Sequence, residues 1–327
     1  MLRVYLALCV LLGVISFASL RLGAGDLSDA SLGQTFLSLR ATRLFAALLA
    51  GASLAVAGVI VQGLFRNPLA DPSILGTTAG ASLGGRVTIL LTQALLGSSA
   101  GALLPPELLL PVGCMLGATG ALALVLAVNR TGDDVVVLLL TGFLLSSLFL
   151  SMGSFVSSLA LERWELSRAL MDFTLGDLSG VSMRRVLLAL PLVLTGILAA
   201  FFWSSPLDVM LSGEDEAASL GVDVNDVRRA CVLWTAVLSA AAVALGGNVG
   251  FVGLIVPHAL RPLVGVTHRR LIPASALLGA LFLAACDVLT RVMPTRSEVP
   301  LGVVTGLIGA PVFLVLLLRS RKEVRNG

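Results

Sequence analysis

Long runs of apolar residues, interrupted by Gly, Pro and charged positions, recur along the whole chain. A helix that crosses a bilayer needs about 20 predominantly apolar residues, and these runs approach or exceed that length. The eighth run is short and contains Pro257, so it is predicted either to be broken or not to cross alone. The ten predicted spans lie near residues 4–22, 43–65, 74–96, 108–128, 135–160, 186–204, 227–246, 250–264, 271–292 and 300–319.

Composition places most of the chain in lipid. Hydrophobic residues make up 57% of the 327, charged residues make up 13%, and the mean hydropathy is +1.00. This is more apolar surface than a soluble fold can bury. Because the spans leave little sequence for a soluble unit, residues 1–327 are predicted to form a single transmembrane domain. Small residues such as those at 51–58 favour a compact all-α bundle.

Charge placement predicts that both ends of the chain face the cytoplasm. The first apolar segment is long for a signal peptide, so a retained first helix is preferred. With the N-terminus inside, the predicted inner segments hold twelve basic residues and the outer segments nine, which agrees with the positive-inside rule. The cationic tail at 319–325 is the main orienting feature. The arginines in the outer segments need an explanation other than the positive-inside rule.

The sequence lacks the motifs of an enzyme or a metal protein. It contains neither the glycine-lysine P-loop of phosphate binding nor an H-E-x-x-H pair. A net charge of +3 is too small to indicate nucleic acid as a partner. The cysteines lie in apolar runs without metal-ligand spacing, so neither a disulfide framework nor a bound metal or cofactor is predicted. They are Cys9, Cys114, Cys231 and Cys286.

Two segments combine helix breakers with polar residues beside predicted spans. In residues 62–76, the pairs Asn67-Pro68 and Asp71-Pro72 stop a helix, because the residue before proline is displaced from the α region. Residues 247–262 combine glycines, proline, His258 and Arg261. From the residues alone, an ordinary interhelical turn explains the first segment.

The loop 208–226 is acidic on a face where the positive-inside rule expects basic residues. Its acids precede its first basic residue, Arg228. Ser212 followed by Asp215 resembles a capping box, and Gly221 is a plausible stop, so a short helix near 213–220 is predicted. A solvated acidic loop is the simpler alternative. The acids are Asp208, Glu214, Asp215, Glu216, Asp223 and Asp226.

Arg86 stands near the middle of the third predicted span. A charge at that depth costs at least about 2.5–3.5 kcal/mol on insertion scales and usually faces the bundle interior or a water-filled cavity. It is a candidate contact for an anionic substrate, and a structural arginine satisfied by carbonyls or a carboxylate is the alternative. His258 and His268 are predicted to have structural or loop roles.

Several segments together closely resemble the permeases of ATP-binding-cassette (ABC) importers for iron siderophores, haem and vitamin B12. The likeness covers most of residues 40–319 and departs from the family pattern at Thr267 and Cys286. It implies ten helices per subunit in a homodimer with a central pathway, in a bacterial inner membrane. The implied partners are two cytoplasmic ATPase subunits, which carry ATP and Mg, and an external substrate-binding protein. The segments that carry the resemblance are 51–82, 250–265, 268–291 and 298–319.

The resemblance also implies roles for individual residues. In the family's vitamin B12 permeases, arginines matching Arg40, Arg43 and Arg291 pair with glutamates of the binding protein; snorkelling to the membrane surface is the alternative. Asn67 and Leu69 are implied to help form a cytoplasmic gate. Residues 213–221 look like the coupling helix that enters a cleft of the ATPase. Its residues are Glu214, Asp215, Glu216, Ala217, Ala218 and Gly221.

The cargo is predicted only as a class. A haem or a ferric siderophore is expected, with haem preferred because of Arg86 and the general likeness to the family, while cobalamin and oxyanions stay open. An ion-coupled secondary transporter is an alternative of another class, but Asp287 is the only obvious acid well inside a late span. An intramembrane hydrolase lacks a paired catalytic constellation here.

Overall fold

The computed structural model describes residues 2–23, 32–95, 106–128, 135–293 and 298–326, and within these ranges the chain is helical without strands. A 3-10 turn, Pro72–Leu75, precedes the third helix. The helices are α1 Leu2–Arg21, α2 Gly33–Leu64, α3 Thr77–Leu95, α4 Pro106–Val128, α5 Val135–Ser158, α6 Trp164–Leu175, α7 Met183–Phe202, α8 Ser204–Met210, α9 Glu214–Ser219, α10 Val224–Gly246, α11 Val252–Val264, α12 His268–Val292 and α13 Leu301–Asn326.

Each predicted span coincides with one helix, which confirms the all-α membrane fold. Seven helices in the described ranges are long and apolar enough to cross a membrane: α1, α2, α4, α5, α7, α10 and α12. The other three predicted spans are α3, α11 and α13. The short α11 stays helical over 13 residues although Pro257 and Pro262 lie inside it.

Two features of the helices differ from the prediction. The second span was expected to begin near residue 43, but α2 begins at Gly33, because residues 34–42 contain neither Gly nor Pro. Arg40 and Arg43 therefore lie within a helix rather than at its end. The amphipathic helix α6 was not predicted; it buries Leu166, Leu170 and Phe173 along one face.

The bundle is built around α2, α10 and α12. The most apolar stretches of these helices are 78%, 72% and 61% buried, against 11% for the peripheral α1. Of the four cysteines, Cys114, Cys231 and Cys286 are buried, and Cys9 is exposed; all are free thiols.

Glycine spacing sets the contact between α3 and α4. Gly80 and Gly84 form one G-x-x-x-G motif, and Gly113 and Gly117 form another on the facing helix. A Cβ added at Gly117 would overlap the carbonyl of Gly80, and one at Gly84 would overlap the carbonyl of Gly113. Only glycine permits this backbone approach, which is a common mode of helix association in membranes.

Candidate functional site

The acidic loop folds into the predicted short helix α9, which ends in a Schellman motif. Gly221 adopts a left-handed conformation with φ 83° and donates its N–H to the carbonyl of Ala218 at 3.0 Å. Val222 donates to the carbonyl of Ala217 at 3.0 Å. This pairing satisfies the last carbonyls of the helix, so the stop predicted at Gly221 is confirmed.

The start of α9 differs from the predicted capping box. Gly213, with φ 135°, is the N-cap, and no side chain caps the helix, so Ser212 does not have the role assigned to it. Glu214 instead accepts two hydrogen bonds of 2.9 Å from Nη2 of Arg228 in α10. The Arg228 side chain is only 7% exposed, so this ion pair fixes α9 against α10.

The remaining residues of α9 divide between a buried face and an exposed face. Ala217 is fully buried against the bundle. Asp215, Glu216 and Ala218 are exposed. Of the six residues predicted to couple to an ATPase, these three and Gly221 therefore offer surface to another molecule.

The turn that follows α2 is also closed by a Schellman motif, here without glycine. Arg66 takes the left-handed conformation with φ 47°, and Asn67 donates its N–H to the carbonyl of Gln62 at 3.1 Å. The Asn67 side chain accepts from the N–H of Leu69 at 2.9 Å. Asn67 and Leu69 are both exposed, so the two residues predicted to form a gate lie in one hydrogen-bonded turn.

Arg40, in the N-terminal part of α2, holds the C-terminus of α1. Its guanidinium donates to the carbonyls of Leu20 at 3.1 Å, Arg21 at 2.9 Å and Gly23 at 3.1 Å. Carbonyls at the end of a helix lack partners within the helix, and a cation is favoured there. Arg40 is 6% exposed and therefore acts first as an internal cap.

Arg43 and Arg291 share the buried carboxylate of Asp287, which is fully buried. Arg43 Nε lies 2.5 Å from Asp287 Oδ1, and Arg291 Nη2 lies 2.8 Å from Oδ2. Arg43 also contacts Glu298 Oε2 at 2.7 Å, and Arg291 donates to Ser19 Oγ at 2.6 Å. The cluster links α1, α2, α12 and the segment before α13, contacts that sequence reasoning missed.

A profile of the FecCD transport family matches residues 2–319. The chain belongs to this family. It is thus the membrane permease component of an importer of the iron-chelate, haem and vitamin B12 type, as the sequence resemblance predicted.

Relatives of the chain include permeases that are named for different cargoes. The chain is 34% identical over 334 residues to the hemin transport permease HmuU of Yersinia pestis, covering 98% of this chain and 96% of the relative. It is 38% identical over 309 residues to the cobalamin import permease BtuC of Halobacterium salinarum, covering 94% and 78%. It is 38% identical over 283 residues to the Fe(3+) dicitrate permease FecD of Escherichia coli, covering 86% and 84%.

Solved structures agree with the family. A metal-chelate type ABC transporter in an inward-facing conformation is 31% identical, with a TM-score of 0.84, over 98% of this chain and all of that chain. PsaBC from Streptococcus pneumoniae, solved with a Fab, shares the fold at 20% identity and a TM-score of 0.57, over 85% and 90%.

Arg86, His258 and His268, which the sequence analysis singled out, lie in three different environments. Arg86 is 4% exposed and forms no ion pair with any residue that the structure describes. His268 is buried and bonded to Asp208, whereas His258 is partly exposed and its ring stacks edge-on to Phe313. The Asp208 partner lies 60 residues away in sequence, and no local pattern indicates it.

Proposed function

We propose that this chain is the permease subunit of an ABC importer for a metal chelate, either haem or a ferric siderophore, with haem preferred. The likeness to an inward-facing metal-chelate transporter over 98% of the chain carries the proposal. The hemin permease of Yersinia pestis supports the preference, because the two chains match over almost their full lengths.

The proposed assembly has two copies of this chain around a central pathway. Two cytoplasmic ATPase subunits bind ATP and Mg and drive the cycle, and an external binding protein delivers the chelate. The proposed location of the assembly is a bacterial inner membrane, with both termini of this chain in the cytoplasm. The exposed acids of α9 support an ATPase contact on that side, because they are free to meet another protein. The ion pair between Glu214 and Arg228 holds α9 against α10, so a movement of α9 would be transmitted to the bundle.

Cobalamin is the second candidate cargo. The permease of Halobacterium salinarum that shares 38% identity is described as a cobalamin importer. The two cargoes differ in charge, since haem carries two carboxylates and cyanocobalamin is neutral overall, so one uptake experiment separates them.

The deciding experiment purifies the importer with its ATPase and binding protein and reconstitutes it in proteoliposomes. ATP-dependent uptake of hemin, a ferric siderophore and cyanocobalamin is measured, together with the chelate that the purified binding protein retains. We expect hemin uptake above the other two. Uptake of cyanocobalamin alone would replace the haem assignment, and failure to copurify with an ATPase would remove the importer assignment.

Docking of the binding protein on Arg40, Arg43 and Arg291 is part of the proposal. Their guanidinium groups already bond within the chain, so charge reversal would confound docking with folding. A sharper test mutates Glu298, which is 44% exposed and contacts Arg43. Glu298→Ala removes this acceptor and frees a donor of Arg43 for an acidic partner, and we expect tighter, more salt-sensitive docking. Unchanged affinity across a salt series would remove Arg43 from the interface.

Coupling and gating complete the proposal, with the ATPase contacting α9 through Asp215, Glu216 and Ala218 and the cytoplasmic gate formed by Asn67 and Leu69. Asp215→Lys with Glu216→Lys should leave the permease folded but weaken ATPase assembly, because both side chains are exposed. Asp226→Lys, also exposed but outside α9, is the matched control. Equal assembly in all variants would contradict the assignment of α9.

A further inference from the structure

A cavity of about 460 Å³ lies between α3, α5, the 3-10 turn Pro72–Leu75 and the loop that joins α10 to α11. Its walls combine aromatic rings with hydroxyl and amide groups, the usual composition of a ligand site. The residues that matter here are Thr78 and Ser82 from α3, Phe143 and Leu150 from α5, and Asn248 and Phe251 from the loop.

Two hydroxyl groups on the α3 wall are buried without a partner. Thr78 is 8% exposed and Ser82 is 2% exposed, and neither hydroxyl oxygen forms a hydrogen bond with the described residues. Farther along the same helix, Thr88 and Thr92 donate to the carbonyls four residues earlier, at 2.8 and 2.7 Å. Buried polar groups are normally satisfied, so a ligand in the cavity would supply the partner that these two hydroxyls lack. Other buried hydroxyls in the described residues also lack a partner, but Thr78 and Ser82 are the ones among them that line the cavity.

Arg86 continues this row of polar groups. Thr78, Ser82 and Arg86 are spaced by four residues and therefore lie on one face of α3. The guanidinium lies over Gly153 of α5, where an added Cβ would stand 2.5 Å from Nη1. Gly153 is three residues, about one helical turn, beyond the cavity-lining Leu150. Arg86 and Gly153 are not among the lining residues, so the guanidinium lies outside the cavity wall, about one turn of α5 beyond it. Arg86 Nε is buried without a hydrogen-bond partner in the described part of the chain.

We propose that this cavity is a transient binding site for a carboxylate-bearing chelate on its way through the permease. Arg86 binds the carboxylate as a planar, two-pronged donor, the hydroxyls of Ser82 and Thr78 donate to its oxygens, and the aromatic walls contact the apolar body of the chelate. The site offsets the cost of a buried arginine only while an anion is present. The proposal rests on the proposed import function and specifies the chemical class of its cargo.

The test measures binding of hemin to the complete permease–ATPase complex in detergent, by absorbance titration without the binding protein. Hemin dimethyl ester, whose carboxylates are blocked, is the matched ligand. Arg86→Gln should weaken hemin binding about tenfold or more, because loss of hydrogen bonds to a charged group lowers affinity by roughly this factor. Ser82→Ala should weaken hemin binding by a smaller factor, because it removes a single neutral donor. Binding of the ester should change little in either variant.

Thr92→Ala serves as the control variant, because Thr92 lies on α3 but bonds to its own helix. Melting temperatures are recorded for every variant, and Ser82→Ala carries the test if Arg86→Gln does not assemble. Equal weakening of hemin and its ester, or unchanged hemin binding in well-folded variants, would overturn the site. Wild-type ATP-dependent uptake of a chelate, measured in parallel, shows separately whether the import function itself holds.

Discussion

Asp208 of α8 binds His268, the first residue of α12, through a single carboxylate oxygen. Oδ1 accepts from the backbone N–H of His268 at 2.8 Å and lies 2.6 Å from its ring Nδ1. The N-cap residue Thr267 provides no side-chain cap, so the carboxylate replaces it from another helix. His268 Nε2 in turn packs against Gly63, just before the turn that holds Asn67. The contact thus connects the segment leading to α9 with the end of α2.

Asp208→Asn should lower the melting temperature, because the amide is a weaker acceptor and the charge at the N-terminus of α12 is lost. The expected cost is about 1–2 kcal/mol, from the cap and the charge–dipole interaction. The measurement is thermal unfolding in detergent. Asp172→Asn is the control, since that carboxylate is 48% exposed and lies in the last turn of α6, away from any helix N-terminus. Equal melting of the two variants would mean that the Asp208 contact adds no stability.

Glu214→Gln should destabilise the permease more than Glu216→Gln. Glu214 is the partner of the buried Arg228, whereas Glu216 is exposed. Loss of a charged hydrogen-bond pair costs roughly 1.5–3 kcal/mol, and the exposed variant should stay within about 0.5 kcal/mol. Denaturant unfolding compares the two. A reversed order would assign the anchoring of α9 to other contacts.

Asp287→Asn should be the most damaging substitution in the cluster that joins α12 to Arg43 of α2. It leaves Arg43 and Arg291 facing each other without the carboxylate between them, and breaking a buried pair costs roughly 3–5 kcal/mol. Expression and melting temperature are the measurements. Asp172→Asn is the comparison, because that side chain is 48% exposed and its ion-pair partner among the described residues, Arg168 at 3.9 Å, is 70% exposed. Normal stability of Asp287→Asn would show that the cluster is dispensable.

Gly117→Ala should weaken the contact between α3 and α4, while Gly120→Ala on the same helix should not. A Cβ at Gly117 overlaps the backbone of Gly80, but a Cβ at Gly120 meets no atom within 4 Å. Overpacking costs typically 1–3 kcal/mol. The measurement is the melting temperature of each variant. Similar values would indicate that α3 and α4 can move apart without loss of stability.

The sequence predicted the elements well because lipid imposes long apolar runs on every spanning helix. Even α6, which was missed, has a readable signal in the apolar spacing of Leu166, Leu170 and Phe173. The capping box at Ser212 failed because Gly213, with φ 135°, turns the chain before the helix begins. Local motifs therefore identify elements better than they identify element ends.

The sequence identified which residues belong to the candidate sites, but it did not identify the side chains that surround them. Asp287 and Arg291 are four residues apart, so their pairing is readable from the sequence. Arg43 lies 244 residues before Asp287, and only the packing of α2 on α12 brings them together. The arginines expected at a protein interface consequently also form ion pairs and hydrogen bonds within the chain. Composition and spacing do not reveal these internal contacts.

The separation of Arg43 from Asp287 also has a consequence for how the chain is made. At about 5–20 residues per second, a ribosome delivers Asp287 roughly 12–50 s after Arg43. We expect the cation on α2 to stay at the membrane surface during that interval, because its long side chain can reach water there. We therefore expect Thr42→Cys to react with an impermeant maleimide in nascent chains that stop before α12 and to be protected in the complete chain, where residue 42 is 6% exposed. Protection in the shortened chains would mean that α2 buries its cation without its acid. On this expectation, α12 brings the carboxylate of Asp287 that joins α1 and α2 to the rest of the bundle.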